Sequence, residues 1–95
     1  MRRAAHIDSN QGDIVDALRK AGASVEPKLA RIGEGVPDLI VGIRHVTTVF
    51  EIKDGSKVPS KRKLTDEEIK WHAAWRGSVY VIESVEQALA VLSSL

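Results

Sequence analysis

The chain has 95 residues, 43% of them hydrophobic, and a formal net charge of +1, which describes one small domain burying roughly 60–65% of its unfolded surface. It has no cysteine, so disulfides and cysteine-bound zinc are excluded and a reducing cytoplasm is the expected location. No apolar run approaches a membrane span, the opening Met1-Arg2-Arg3-Ala4-Ala5 is too short and too polar afterwards for a signal peptide, and the net charge alone argues for no partner class.

Residues 1–8 read as a tail. Asp8 or Ser9 then caps a helix whose apolar stripe is Ile14, Val15, Leu18 and Ala21, with Gly22 just past its end. Ser24 to Ile32 has the pattern of a strand weakened by Pro27, and Gly33-Glu34-Gly35 is a turn. Leu39 to Ile43 is a short buried strand, Arg44-His45 a turn, and Val46 to Lys53 the next strand. A loop with Gly55, Ser56, Pro59 and Ser60 follows. From Lys53 it carries Lys57, Lys61, Arg62 and Lys63 against Asp54 alone, which reads as a solubilising loop or a phosphate-binding arm.

A second helix begins at Thr65, with Thr65 and Glu68 spaced as a capping box and Leu64 and Ile69 as a hydrophobic staple. It runs to about Arg76 and ends at Gly77. Ser78 to Glu83 is a strand, apolar on both faces and therefore expected in the centre of a sheet. Ser84 caps the last helix, Gln87 completes a second capping box, and Ala88, Leu89, Val91 and Leu92 pack it down. The order is α-β-β-β-α-β-α: a meander, then a helical crossover delivering the last strand.

The chemistry concentrates near the middle. Side chains alternate faces along a strand, so Glu51 and Lys53 share one face with Val49, opposite Thr48, Phe50 and Ile52. Asp38 opens the preceding apolar run and can come alongside. A solvated edge face or a cross-strand charge pair would explain these residues. So would two carboxylates and a lysine converging to hold a divalent metal and a phosphate, since an unpaired buried charge is expensive.

Pro37-Asp38 followed by Glu51-Ile52-Lys53 matches the PD-(D/E)xK nuclease signature. With Asn10-Gln11, Ile14-Val15, Leu18, Gly35-Val36-Pro37-Asp38-Leu39, Asp54-Gly55, Leu64-Thr65-Asp66-Glu67-Glu68, Trp71-His72 and Ser84-Val85-Glu86-Gln87-Ala88-Leu89, nearly the whole chain resembles the small stand-alone VRR-Nuc nucleases of phages and bacteria. The resemblance implies an α/β, restriction-endonuclease-like αβββαβ core, with a mixed central sheet flanked by helices. It implies Mg²⁺, with Mn²⁺ able to substitute, held by Asp38, Glu51 and the backbone carbonyl of Ile52, and Lys53 acting on phosphate or the attacking water. It also implies a homodimer acting on branched DNA such as four-way junctions, in a bacterial or phage-infected cytoplasm, with no membrane and no small-molecule organic cofactor.

Gln11 is the open member of the site. Relatives often carry Glu near it; it lies on the apolar stripe and would orient a water, yet Asp8-x-x-Gln11 is itself a capping box. Asp54 alternates to the opposite face from Glu51, Pro37 sets the backbone before Asp38, and Glu68 stands where relatives often have Gln. His6, His45 and His72 lack zinc-motif spacing. Trp71 and Trp75 fit core positions better than DNA stacking. Three classes of function compete: a metal-dependent DNA endonuclease, a catalytically silent nucleic-acid binding module, and a protein-interaction or toxin–antitoxin component. Without a zinc finger or helix-turn-helix a site-specific restriction enzyme is disfavoured, while junction, flap and nicking substrates stay open.

Overall fold

The computed structural model describes residues 7–95; most of the expected tail, and His6 with it, lies outside the described residues. The elements are α1 (Gln11–Lys20), β1 (Ser24–Glu26), a 3-10 turn (Leu29–Ile32), β2 (Leu39–Ile43), β3 (Val46–Ile52), a second 3-10 turn (Pro59–Lys61), α2 (Asp66–Ala74), β4 (Val79–Ile82) and α3 (Val85–Ser94). Four strands form one sheet in the order β1-β2-β3-β4. β1 and β2, and β2 and β3, run antiparallel. β3 and β4 run parallel, the sheet being mixed as expected, with α2 as the crossover between them.

Register sorts the side chains. Leu39 lies opposite Phe50 and Val41 opposite Thr48, while Tyr80 and Ile82 lie beside Phe50 and Ile52. This face packs with Ile14 and Leu18 of α1 and Ala88 and Leu92 of α3 into the core. Phe50 is its largest fully buried side chain and meets Tyr80 edge to face, ring centroids 6.0 Å apart; truncating it to alanine would cost about 3–5 kcal/mol. The opposite face carries Val49, Glu51, Val79 and Val81. It is served by α2, none of whose residues is buried.

The hairpin between β2 and β3 turns on Arg44 and His45, both left-handed (φ 49° and 65°), the backbone a two-residue hairpin requires. Arg44 then reaches across to the last turn of α3, donating from its guanidinium to the carbonyls of Leu92 (2.7 Å) and Leu95 (3.0 Å). It satisfies carbonyls that a helix end leaves open.

Several expectations are corrected. The N-cap of α1 is Asn10 rather than Asp8 or Ser9, and its side chain does not cap the helix. Its Nδ2 instead donates to the carbonyls of Lys53 (3.1 Å) and Glu83 (3.2 Å), pinning the helix start to the ends of β3 and β4. The strand expected over 24–32 stops at Glu26, because Pro27 has no N–H to continue a ladder. Ala21 and Leu89 are exposed rather than packed, and Ile69 is 51% exposed, so no buried staple forms at α2. That helix ends at Ala74, short of Arg76. At α3, Ser84 accepts from Gln87 N, but the Gln87 side chain returns to Glu83 N at 2.6 Å, one residue before the cap. β4 is an edge strand, not a central one. Its second apolar face, with Val81 37% exposed, opens outward beside α2. Among the described residues, no helix is long and apolar enough to cross a membrane.

Candidate active site

Asp38 immediately precedes β2 and is locked onto the end of β3. Its N–H donates to Phe50 O at 3.1 Å, and its Oδ2 accepts from Ile52 N at 2.7 Å. Glu51, 2% exposed, lies on the α2 side of β3. The two carboxyls are close enough to hydrogen-bond to each other. Burial raises the Asp38 pKa more than its hydrogen bonds from Glu51 and Ile52 lower it. Burial, then the hydrogen bond and charge of Asp38, push Glu51 up to about 10. Two carboxyls this close, both removed from water, share a proton when nothing else neutralises them.

Lys53 follows on the same face, and its Nζ donates to Glu68 Oε1 at 2.8 Å. Burial works against the ammonium, but the Glu68 hydrogen bond and charge outweigh it and hold the Lys53 pKa above its usual value. The same Glu68 oxygen accepts from Thr65 N at 2.8 Å, and Thr65 Oγ1 accepts from Glu68 N, so the capping box is complete. Burial opposes ionisation of Glu68; the Lys53 and Thr65 donors prevail and hold its pKa low. His72, one helical turn further along α2, places Nε2 3.3 Å from Glu51 Oε1. Burial is the leading cause that keeps the His72 pKa below the ordinary imidazole value.

The start of α2 is seated against the glycine turn. Gly35 is left-handed (φ 83°), and a Cβ on it would run into the backbone carbonyl of Glu67. A cleft of about 260 Å³ results, whose walls include Asp8, Asp38, Glu51, Ile52, Lys53 and Glu68. Asp8 adds negative charge that raises Asp38. A wider depression of about 520 Å³ is lined by Asn10, Asp54, Arg62 and Glu83 among others. Its charges are already engaged: Arg62 with Glu83, and Asp54 with Ser9 and Ser56.

Asp38, Glu51, Ile52 and Lys53 thus meet in one cleft. Gln11 is buried as its stripe position requires, but it does not line that cleft; its Nε2 donates to Pro27 O at 3.3 Å. The acid nearest that end of α1 within the cleft is Asp8. Asp8, Glu68 and His72 escaped the sequence reading as site residues. Capping chemistry accounted for the first two, and the spacing of His72 from Glu68, i and i+4 on one helix, was the available signal. In the basic arm, Lys57, Lys61 and Lys63 are exposed, whereas Arg62 is held by Glu83 at 2.6 Å. The tryptophans are not core: Trp75 is 45% exposed and stacks on Trp71 at 4.7 Å.

Among the described residues no three His, Cys, Asp or Glu side chains form a ready metal cage. The oxygen donors are the carboxylates of Asp38 and Glu51 and the backbone carbonyl of Ile52, which leaves the strand on the same edge as the N–H given to Asp38. That set fits Mg²⁺, which binds through one or two carboxylates and keeps several waters. A cation there would take the place of the shared proton.

The architecture matches a solved structure described as "VRR_NUC domain", with a TM-score of 0.65 and 21% sequence identity, over 90% of this chain and 97% of that one. The likeness shows the fold: a VRR_NUC, restriction-endonuclease-like arrangement. No family model matches the chain, and no curated protein matches it.

Proposed function

We propose that this chain is a metal-dependent DNA endonuclease that hydrolyses phosphodiester bonds, selects branched DNA such as four-way junctions, and works as a homodimer. The observation that carries the nuclease reading is the buried Asp38–Glu51 carboxyl pair with Lys53 on the same face. The VRR_NUC fold of a solved neighbour supports it. Asp38, Glu51 and the Ile52 carbonyl would hold Mg²⁺ or Mn²⁺, and when bound the cation supplies phosphate polarisation and a water of lowered pKa. Lys53, with three donors and no acceptor, binds a phosphate oxygen or aims the attacking water. Glu68 keeps that ammonium charged and directed until phosphate competes for it. Lys57, Lys61 and Lys63 follow the DNA backbone by neutralising phosphates.

The homodimer reading is supported by exposed apolar side chains on this side of the molecule, Ile69 on α2, Trp75 just after it and Val81 on the edge strand β4. A second copy covering them would present two sites to two strands related by the same two-fold axis. The test is cleavage of a four-way junction and of a matched linear duplex, with Mg²⁺ and with excess chelator, alongside sedimentation at micromolar concentration. Cleavage that needs the cation and favours the junction, from a dimer, is the expected result. Full activity in chelator would remove the metal mechanism. Equal rates on both substrates would remove only the junction preference, and a strict monomer that cuts junctions efficiently only the assembly.

A further inference from the structure

We propose that His72 is a positioning residue for Glu51, fixing the carboxylate that would hold the cation, and that α2 is built to deliver it. This rests on the metal-site reading above.

His72 Nε2 lies 3.3 Å from Glu51 Oε1, with side chains 15% and 2% exposed. With Nε2 protonated, the ring donates to that oxygen whether the imidazole is neutral or charged. Oε1 is then committed, the carboxylate plane is set, and Oε2 remains for a cation.

The spacing of the two elements matches. Glu51 on β3 and Lys53 just past its end are two residues apart, a rise of about 6.6–6.8 Å for extended chain. On α2, Glu68 and His72 are four apart, a rise of about 6 Å. Lys53 pairs with Glu68 and Glu51 with His72, so the helix lies antiparallel along the strand and gives each neighbouring site residue its own partner.

The ring is also buttressed from behind. Trp71 packs edge to face on His72, centroids 6.0 Å apart at 76°, and stacks on Trp75 at 4.7 Å and 21°. Trp75 Nε1 in turn donates to Ser78 O at 3.2 Å, just before β4. Three aromatic rings thus link the entry of β4 to Glu51. Residues that orient a metal-binding carboxylate are typically worth about 10–100-fold in metal affinity or activity.

The test compares wild type with His72→Phe, which keeps a ring against Trp71 but removes the donor, His72→Leu, which removes both, and His72→Gln, which restores an N–H. Mn²⁺ binding is measured by calorimetry and the Mg²⁺ dependence of cleavage in parallel, with metal-free melting to establish the fold. For His72→Phe and His72→Leu the expected results are an intact fold, Mn²⁺ affinity lowered about 10–100-fold, and a matching rise in half-saturating Mg²⁺. The rate at saturating Mg²⁺ should fall much less, and His72→Gln should recover part of the affinity. A folded His72→Phe or His72→Leu variant with wild-type Mn²⁺ affinity overturns the proposal. Wild-type protein that neither binds Mn²⁺ nor cuts DNA overturns the metal-site reading, and the proposal falls with it.

Discussion

Replacing Glu51 with Gln should stabilise the metal-free domain at alkaline pH and remove its response to metal. Glu51 is pushed up to about 10 from an ordinary value of 4.5, and Asp38 is raised in the same direction by the same burial. Between those limits the folded pair retains a proton that the unfolded chain has lost. The pair's contribution to stability is therefore full below pH 4.5 and declines as pH climbs toward the folded value. One proton corresponds to a slope of at most about 1.4 kcal/mol per pH unit. From pH 7 to 9 the ceiling is about 2.7 kcal/mol, and relaxation with water entry could halve it. At roughly 4–8 °C per kcal/mol for a domain of this size, melting should fall by about 5–22 °C.

This window avoids His72, whose pKa is held low, leaving it mostly neutral in both states above pH 7. In Glu51→Gln the amide takes over the protonated carboxyl's role, donating to Asp38 without titrating. Urea and thermal unfolding in chelator at pH 7, 8 and 9 should show the wild type losing stability that the variant keeps. Adding Mg²⁺ should then restore the wild type alone, by about 2.7 kcal/mol at a hundredfold excess over its Kd. Identical pH slopes for the two proteins, or a variant less stable than wild type at pH 9, would refute the shared-proton reasoning.

Other substitutions separate the parts of the site. Asp38→Ala and Glu51→Ala should lose cleavage while circular dichroism and DNA titrations report a folded, binding domain; Lys53→Ala should lose turnover yet still bind Mn²⁺, and Gln11→Ala should lose less. Neutralising Lys57, Lys61 and Lys63 should lower the log–log salt slope of duplex binding by about 0.9 for each phosphate left without its lysine, whereas Arg62→Gln should act on stability through Glu83; an unchanged slope would make the arm a solubilising loop. Gly35→Ala puts a methyl group where the Glu67 carbonyl sits and should destabilise by more than the about 1–3 kcal/mol that the left-handed backbone alone costs, while raising the Mg²⁺ requirement; a neutral effect on both would mean that the glycine turn does not seat α2.

Period-two alternation was enough to put Glu51 and Lys53 on one face, and their contacts with His72 and Glu68 of the same helix keep them there. The Thr65–Glu68 capping box was equally plain, because both of its bonds are local. What was hidden is non-local. Glu68 had a sufficient local explanation, and nothing in its neighbourhood announces that the same oxygen also holds Lys53. Asp8 looked like a cap and became a wall of the cleft, since the N-cap is Asn10 instead. Gln11 was rightly read as facing inward, but inward there leads to Pro27. A run of basic residues does not reveal which one is paired, and the partner of Arg62 lies 21 residues away. The β4 pattern was misleading for a related reason: two apolar faces imply two covers, and among the described residues the second cover is α2 alone.

That partial cover makes α2 the dependent element of the fold. Nine residues make a short helix, too short to stand alone in water, and it contributes no buried side chain to the core. Its anchors include the capping box, the Gly35 turn, the Lys53–Glu68 pair and the His72–Glu51 contact. Two of these four are made with the candidate site itself. The helix therefore organises the charges on β3, and those charges in turn hold the helix. Occupying the cleft with a cation would remove the repulsion among Asp38, Glu51 and Glu68, leaving α2 more firmly seated. Amide exchange should slow in Asp66–Ala74 on adding Mn²⁺, and barely change in α1 and α3, whose inner faces are already buried against the sheet. Uniform slowing across the chain would mean instead that the cation stabilises the fold as one unit, with no separate role for α2.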